Sequence, residues 1–145
     1  MTSHYKGDVT AGACWQSLGQ TPDALLIDVR TVAEWTYVGL PVLASIGKAP
    51  ILVEWQRYPS MNVDPSAFAD QVEAEIRAAG AGKNSELYFL CRSGVRSMGG
   101  AAAMAARGYI NCFNVLDGFE GPVDGEGHRG LSAGWKAEGL PWAQK

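Results

Sequence analysis

The sequence predicts an α/β domain in three layers, in which a parallel sheet lies between helices. One observation is that strand-like stretches alternate along the chain with helix-like stretches, as in strand–helix–strand units. A second is that the strand candidates, such as 87–90, are nearly continuous apolar runs. Such runs are typical of parallel strands that are covered on both faces of the sheet.

Three of the four helix candidates have a recognisable start. Thr10, the Thr31–Glu34 capping box and Asp64 followed by proline mark the first three helices. The fourth, rich in glycine and alanine, can pack closely on a sheet. The predicted helices begin after 10 (ending near 18), after 31, after 64 and at 96 (ending at 107). The predicted strands are 25–29, 51–54, 87–90 and 112–116, with a weaker candidate at 7–9, and 55–62 and 118–130 are predicted to be surface loops.

Length and composition indicate a single domain over 1–145, with its core at about 8–142. The chain is 47% hydrophobic and 19% charged, as expected for a folded protein. Its net charge of −3 argues against nucleic acid or an anionic membrane as a partner. No apolar run is long enough to cross a bilayer, and the first residues lack the apolar centre of a signal peptide. We therefore expect a cytoplasmic protein.

The most informative segment follows the strand at 87–90. Cys91 stands at the end of that strand, and a glycine and two arginines follow it before the next helix. Backbone N–H groups of such a loop and the helix N-terminus stabilise negative charge, so the position favours a thiolate. Cys91 is therefore predicted to be the catalytic nucleophile. The predicted substrate-binding residues are Arg92, Ser93, Gly94, Val95, Arg96 and Ser97.

The segment Cys-Arg-Ser-Gly-Val-Arg-Ser at 91–97 resembles the active-site loop of the rhodanese family of sulfurtransferases. The resemblance extends to Asp-Val-Arg-Thr-Val-Ala-Glu-Trp at 28–35, to Asp-Gly-Phe-Glu-Gly at 117–121, and to the family's closing helix and tail at 134–141. Gly-Leu-Pro at 39–41 departs from the family's usual Gly-His-Ile. The resemblance implies a three-layer rhodanese-like domain with a five-stranded parallel sheet and the Cys91 loop at the carboxyl ends of its strands.

The resemblance also implies a two-step reaction through a persulfide on Cys91. A donor such as thiosulfate would supply the sulfane sulfur, and a thiophilic acceptor would remove it. Arg92 and Arg96 would attract the small anionic donor. Ser97 would either donate a hydrogen bond at the site or cap the helix, and both roles remain open. No cofactor is expected.

Two alternatives to a small-molecule sulfurtransferase remain open. Single rhodanese-like domains can also be persulfide sulfur carriers or binding modules, with a sulfur-accepting protein as partner. Cysteine phosphatases and arsenate reductase-like enzymes carry a related loop, which in the phosphatases has five residues between cysteine and arginine. Here four residues separate Cys91 from Arg96, and the tighter loop suits one sulfur atom better than a phosphoryl group.

Two further groups of residues are linked to the site by the resemblance. Asp28, Arg30 and Glu34 are interpreted mainly as structural support, and Arg30 and Glu34 have the spacing of an ion pair at a helix start. The second group belongs to the aromatic and basic loop at 55–62, which includes Gln56 and Met61. This loop is either part of the pocket rim or an ordinary surface loop. The rim candidates in it are Trp55, Arg57 and Tyr58.

The other cysteines and the histidines indicate no second centre. Cys14 and Cys112 are expected to be small core residues, since three cysteines without a C-x-x-C pair indicate neither a disulfide framework nor a zinc ribbon. A role for either as a resolving partner of Cys91 remains open. Asp124, Glu126 and His128 lie in a glycine-rich loop that is interpreted as solvated, so no metal site is predicted.

Overall fold

The computed structural model describes residues 4–144. Residues 1–3 and 145, which the expected domain includes, lie outside the described residues. In chain order the elements are β1 (Gly7–Val9), α1 (Ala11–Gln20), β2 (Leu25–Asp28), α2 (Val32–Tyr37), β3 (Leu40–Pro41), a 3₁₀ turn (Ala44–Ile46), β4 (Ile51–Leu52), β5 (Gln56–Arg57), β6 (Asn62–Val63), α3 (Pro65–Ala78), β7 (Glu86–Leu90), α4 (Arg96–Ala106), β8 (Asn111–Val115) and β9 (Trp142–Ala143).

Five of these strands form the predicted parallel sheet, in the order β1-β8-β7-β2-β4. The central strand is β7, whose Leu87 is paired with Leu25 of β2 and with Cys112 of β8. Parallel strands all end at the same edge of a sheet, and ligands of open α/β sheets bind at that edge. The segment after β7 therefore emerges in the middle of the carboxyl edge, and Cys91 is its first residue.

Helices and loops cover both faces of the sheet, which explains the continuous apolar strands. Leu87 and Phe89 of β7 belong to a core cluster with side chains of α3 and α4. Tyr88 and Leu90 belong to a second cluster, with α1 and the segment after β8. The buried face of α3 contains Phe68, Val72 and Ile76, which recur every four residues.

The helices begin where the sequence predicts them. The Thr10 side chain accepts a hydrogen bond from the Ala13 N–H, and Asp64 does the same for Ala67. The capping box of Thr31 and Glu34 is complete at α2. No helix within residues 4–144 is both long enough and apolar enough to span a bilayer.

Two segments differ from the sequence prediction. The stretch 55–62, expected to be a loop, contains most of the antiparallel hairpin of β5 and β6. Where the resemblance implies a closing helix and tail at 134–141, residues 135–139 form turns, because Gly134 and Gly139 adopt φ of +98° and +74°, which interrupt a helix. After these turns, β9 pairs with β3, which contains the unusual Leu40–Pro41.

Candidate active site

The loop after β7 holds the sulfur of Cys91 in a buried position. Cys91 is 1% exposed, and its Sγ accepts a hydrogen bond from the Gly94 N–H over 3.1 Å. Gly94 has a φ of +100°, and a methyl group there would lie 3.2 Å from the Asp117 nitrogen. The tight loop therefore depends on the glycine.

The N-terminus of α4 lies in the same loop and has no side-chain cap. Its N-cap residue is Val95, whose side chain makes no capping hydrogen bond. The first N–H groups of a helix have no partner within the helix, and together they carry partial positive charge. The loop can therefore stabilise negative charge on an atom bonded to Cys91.

Ser97 lies beside the sulfur and does not serve as the N-cap of α4. Its Oγ is 3.2 Å from the Cys91 Sγ, and its hydroxyl donates to the Oδ1 of Asn114 in β8. The amide nitrogen of Asn114 donates to Asp8 and to the Gly94 carbonyl. The sequence alone does not indicate Asn114, since one asparagine within an apolar strand carries no signal of its own.

An ion pair between Glu34 and Arg96 closes one side of the loop. The guanidinium donates to both carboxylate oxygens, over 2.7 and 2.9 Å. Burial alone would raise the pKa of Glu34, but the bonds from Arg96 and Thr31 hold it below its usual value. Burial would likewise lower the pKa of Arg96, and Glu34 raises it instead.

The expected pair of Arg30 and Glu34 is wrong. Arg30 precedes the N-cap of α2, so it does not belong to the helix and the four-residue spacing does not bring the two side chains together. Arg30 instead binds Asp28, with 2.7 Å between Nη2 and Oδ2, and both side chains are fully buried. It also donates to the Gly39 carbonyl, and its guanidinium lies 4.2 Å from the ring centre of Phe119.

An open cleft of about 720 Å³ lies above the Cys91 loop. The loop arginines Arg92 and Arg96 line it, together with residues from α2, the β5–β6 hairpin and the segment after β8. The lining residues are Glu34, Val38, Gln56, Met61, Cys91, Arg92, Ser93, Val95, Arg96, Glu120 and Arg129.

The charges of the cleft are not equally available to a ligand. Arg96 is bound by Glu34, whereas neither Arg92 nor Arg129 forms an ion pair within residues 4–144. Arg129 donates one hydrogen bond to the Gly121 carbonyl over 2.7 Å, which orients it at the cleft. The sequence alone does not indicate Arg129, because only the course of the 118–130 loop brings it to the site.

Comparison with known proteins establishes the family. The sequence model of the family described as rhodanese-like domain matches residues 10–122 of this chain. That span includes the Cys91 loop, Asp28, Arg30 and Glu34. This chain belongs to the rhodanese-like domain family.

Similar proteins span nearly the whole of this rhodanese-like domain. The crystal structure of Rv0390 from M. tuberculosis has a TM-score of 0.82 and 43% identity, covering 97% of this chain and 99% of that one. The uncharacterized protein RC0915 of Rickettsia conorii is 35% identical over 136 residues, or 93% of this chain and 95% of its own. A rhodanese-like domain protein from Staphylococcus aureus, at 20% identity, covers 94% of this chain and 97% of that one with a TM-score of 0.54, and shows a shared fold.

The expected rim residues of the rhodanese-like domain lie outside its cleft. Trp55 packs edge-on against Phe68, with 4.9 Å between ring centres, while Arg57 lies near Glu54 and Tyr58 is 83% exposed. Successive side chains of a strand point to opposite faces, so Gln56 of β5 lines the cleft while Trp55 and Arg57 do not. Met61, before β6, is the second residue of this hairpin at the cleft.

The other two thiols are buried in the core, away from the cleft lining. Cys14 lies in the cluster beneath α1, and Cys112 in the cluster beneath α3 and α4. Burial raises the pKa of Cys112 to about 12, and burial raises the pKa of Cys14 further still, despite the nearby charge of Lys48. Within residues 4–144 no cluster of three or more histidine, cysteine or acidic side chains could hold a metal ion.

Proposed function

We propose that this rhodanese-like domain is a sulfurtransferase that moves a sulfane sulfur from a small anionic donor, such as thiosulfate, to a thiophilic acceptor. The observation that carries the proposal is the position of Cys91. Its sulfur lies at an open cleft, accepts the Gly94 N–H and shares its loop with the uncapped N-terminus of α4. This environment suits a nucleophile that holds a negatively charged sulfur atom.

The reaction consists of two displacements at sulfur. The Cys91 thiolate attacks the outer sulfur of thiosulfate, whose S–S bond breaks and leaves its electron pair on sulfite. Cys91 then carries a persulfide with its negative charge on the outer sulfur. The acceptor, cyanide for example, attacks that sulfur, and the electrons of the persulfide bond return to Cys91 as a thiolate.

Two arginines of the cleft attract the donor. Arg92 and Arg129 have no carboxylate partner within residues 4–144, so their charge is available to a dianion. Arg96 is held by Glu34 and contributes mainly to the shape of the loop. Its engagement also disfavours a cysteine phosphatase, which needs the loop arginine to bind phosphate oxygens.

Thiocyanate formation from thiosulfate and cyanide, combined with intact-mass analysis, tests the proposal. We expect turnover, and a mass increase of one sulfur atom on Cys91 after thiosulfate alone. Cys91→Ser should abolish both, whereas Cys14→Ser should retain both. A persulfide that maps to Cys14 or Cys112, or hydrolysis of p-nitrophenyl phosphate without any persulfide, would refute the assignment.

A sulfur carrier that delivers to a protein thiol is the second candidate. One support is the apolar wall of the cleft, formed by Val38, Met61 and Val95. Another is the volume of the cleft, about 720 Å³, which far exceeds the volume of a five-atom donor such as thiosulfate. A carrier should load sulfur from thiosulfate yet show little turnover with cyanide. Rapid turnover with cyanide would favour the enzyme.

A further inference from the structure

A series of hydrogen bonds, buried except at its Asp8 end, extends from the Cys91 sulfur to β1. Ser97 Oγ lies 3.2 Å from Cys91 Sγ and donates to Asn114 Oδ1. Asn114 Nδ2 donates to Asp8 Oδ1 over 3.0 Å and to the Gly94 carbonyl over 3.2 Å. Cys91, Ser97 and Asn114 are each at most 1% exposed, so these polar atoms depend on one another for partners.

The partners of Asn114 determine the direction of each bond. The Asp8 carboxylate and the Gly94 carbonyl can only accept, so the amide nitrogen of Asn114 must face them. Its Oδ1 therefore faces Ser97 and can also only accept. A hydroxyl has a single hydrogen, and Ser97 gives it to Asn114. What Ser97 presents to Cys91 is consequently a lone pair.

A lone pair beside Cys91 is compatible with the thiol and with the persulfide of this residue, and it disfavours the thiolate. A thiol can donate its S–H to Ser97 Oγ. In a persulfide the charge lies on the outer sulfur, and the inner sulfur is uncharged. A thiolate places its charge against the Ser97 lone pair, unless the hydroxyl turns to the sulfur and leaves Asn114 Oδ1 buried without a donor. Leaving a buried acceptor unsatisfied is costly.

We propose that Asn114 is a positioning residue that acts through Ser97 to disfavour the bare thiolate of Cys91 relative to its thiol and its persulfide. The persulfide part of this inference rests on the proposed function. When an acceptor removes the outer sulfur, the electrons of the S–S bond return to Cys91 and form the disfavoured thiolate. Asn114 therefore slows unloading and favours retention of the bound sulfur.

Several charged groups surround the Cys91 loop or bond to its neighbours, and replacing Asn114 does not remove them. They come from the loop itself, α2, the end of β2, the segment after β8 and, beyond Asn114, β1. These groups are Arg92, Arg96, Glu34, Asp28, Glu120, Arg129 and Asp8.

The test is the pH dependence of iodoacetamide alkylation at Cys91, followed site by site by mass spectrometry in the intact chain. In Asn114→Leu the Ser97 hydroxyl is released to donate to the thiolate. We expect the alkylation midpoint to fall by about one pH unit, a tenfold change in the ratio of thiolate to thiol. Asn111→Leu is the matched control, because Asn111 lies in the same strand and bonds to Lys6 and Asn84 instead. Its midpoint should equal that of the wild type.

Ser97→Ala separates this effect from a general disturbance of the strand or of Asp8. In the Ser97→Ala background, Asn114→Leu should no longer shift the midpoint. A midpoint that is unchanged or raised in Asn114→Leu, or a shift that persists without Ser97, would overturn the proposal. These readouts require no sulfur transfer, so they decide the role of Asn114 even if the protein proves not to be a sulfurtransferase.

Two further measurements do not depend on how well Asn114→Leu folds. The first is the infrared S–H band of Cys91, obtained by subtracting the spectrum of the alkylated protein. In the wild type it should be the band of an S–H group that donates a hydrogen bond, and in Ser97→Ala that of an S–H group without an acceptor, here called a free thiol. A free-thiol band in the wild type contradicts the proposal. In the smaller variant Asn114→Val, cyanide should discharge the preloaded persulfide several-fold faster than in the wild type, and an equal or slower rate contradicts it.

Discussion

Glu34 and Arg96 are 62 positions apart in the chain and form a two-bond ion pair beside Cys91. Glu34 accepts from the Thr31 N–H as well, so one carboxylate completes the cap of α2 and binds the first residue of α4. Arg96, one of the two arginines expected to attract the anionic donor, is therefore bound to Glu34 and stabilises the loop. The charge of Arg92 and Arg129 remains available at the cleft.

Glu34→Gln is expected to destabilise the protein by about 1–2 kcal/mol at neutral pH, because it removes a half-buried charged pair. The pKa of Glu34 is lowered in the folded protein, so its contribution is present above the pKa of the unfolded chain and is lost as the pH falls through the folded value. Urea unfolding at a series of pH values from 7 into acid measures this. The difference in the free energy of unfolding between Glu34→Gln and the wild type should shrink as the pH falls. A difference that grows in acid would contradict the ion pair.

Arg92→Ala and Arg129→Ala should each raise the KM for thiosulfate several-fold, with less effect on an uncharged sulfur donor. Added salt should weaken thiosulfate use by the wild type, since exposed charges are screened over about 8–10 Å at physiological ionic strength. Arg57→Ala is the matched control, because Arg57 lies near Glu54 and outside the cleft lining. Steady-state kinetics check this, and an Arg57→Ala effect as large as that of Arg129→Ala would place the anion site elsewhere.

The features predicted correctly from the sequence depend on contacts between near neighbours or on burial. Thr10, Thr31 and Asp64 cap their helices through bonds to residues three positions ahead, so the pattern is visible in any short window. The strands of the sheet are buried on both faces, and their apolar runs show this directly. The Cys91 loop is also local, because its tight turn requires the positive φ of Gly94, only three positions away.

The features that the sequence does not predict depend on contacts between segments that are far apart in the chain. Arg30 satisfied the local spacing rule for Glu34, but the true partner of Glu34 lies on another helix. Asn114 faces Ser97 only because β7 and β8 are adjacent in the sheet. Which residues of the β5–β6 hairpin line the cleft depends on which face of a short strand is turned towards it. A short segment that mixes polar and apolar residues does not indicate that face.

Native labelling should modify Cys91 while sparing Cys14 and Cys112. Burial raises the pKa of both core thiols, to about 12 for Cys112, so neither is a thiolate near neutral pH in the folded state. Iodoacetamide at pH 7.5 followed by peptide mapping checks this, and unfolding in urea should expose all three cysteines. Labelling of Cys14 or Cys112 at the rate of Cys91 in the native protein would contradict their burial.

Arg30→Met should destabilise the protein by about 3–5 kcal/mol, because it leaves the fully buried Asp28 carboxylate without its partner. Adding Asp28→Asn should restore part of the loss by removing the unpaired charge. Arg77→Met is the control, since the Arg77 side chain is 75% exposed and its ion pair with Glu73 is long, at 3.9 Å. Urea unfolding compares the variants, and equal effects of Arg30→Met and Arg77→Met would contradict this role.

Gly118→Ala should displace the Cys91 loop and reduce both stability and sulfur transfer. Gly118 has a φ of +62°, and a methyl group there would overlap the Cys91 carbonyl oxygen and lie 2.7 Å from that of Arg92. The next residues, Phe119 and Glu120, donate their N–H groups to these same two carbonyls, so the loop cannot move away without losing those bonds.

The expected loss for Gly118→Ala is about 2–4 kcal/mol, from backbone strain combined with overlap. Gly125→Ala is the matched control, because nothing lies within 4 Å of a methyl group at that position in the same long segment. Its stability should stay within about 0.5 kcal/mol of the wild type. Thermal unfolding and thiocyanate formation measure the two variants side by side. If Gly118→Ala is as stable and as active as Gly125→Ala, the segment after β8 does not hold the loop, and the position of Cys91 must depend on β7 and α4 alone.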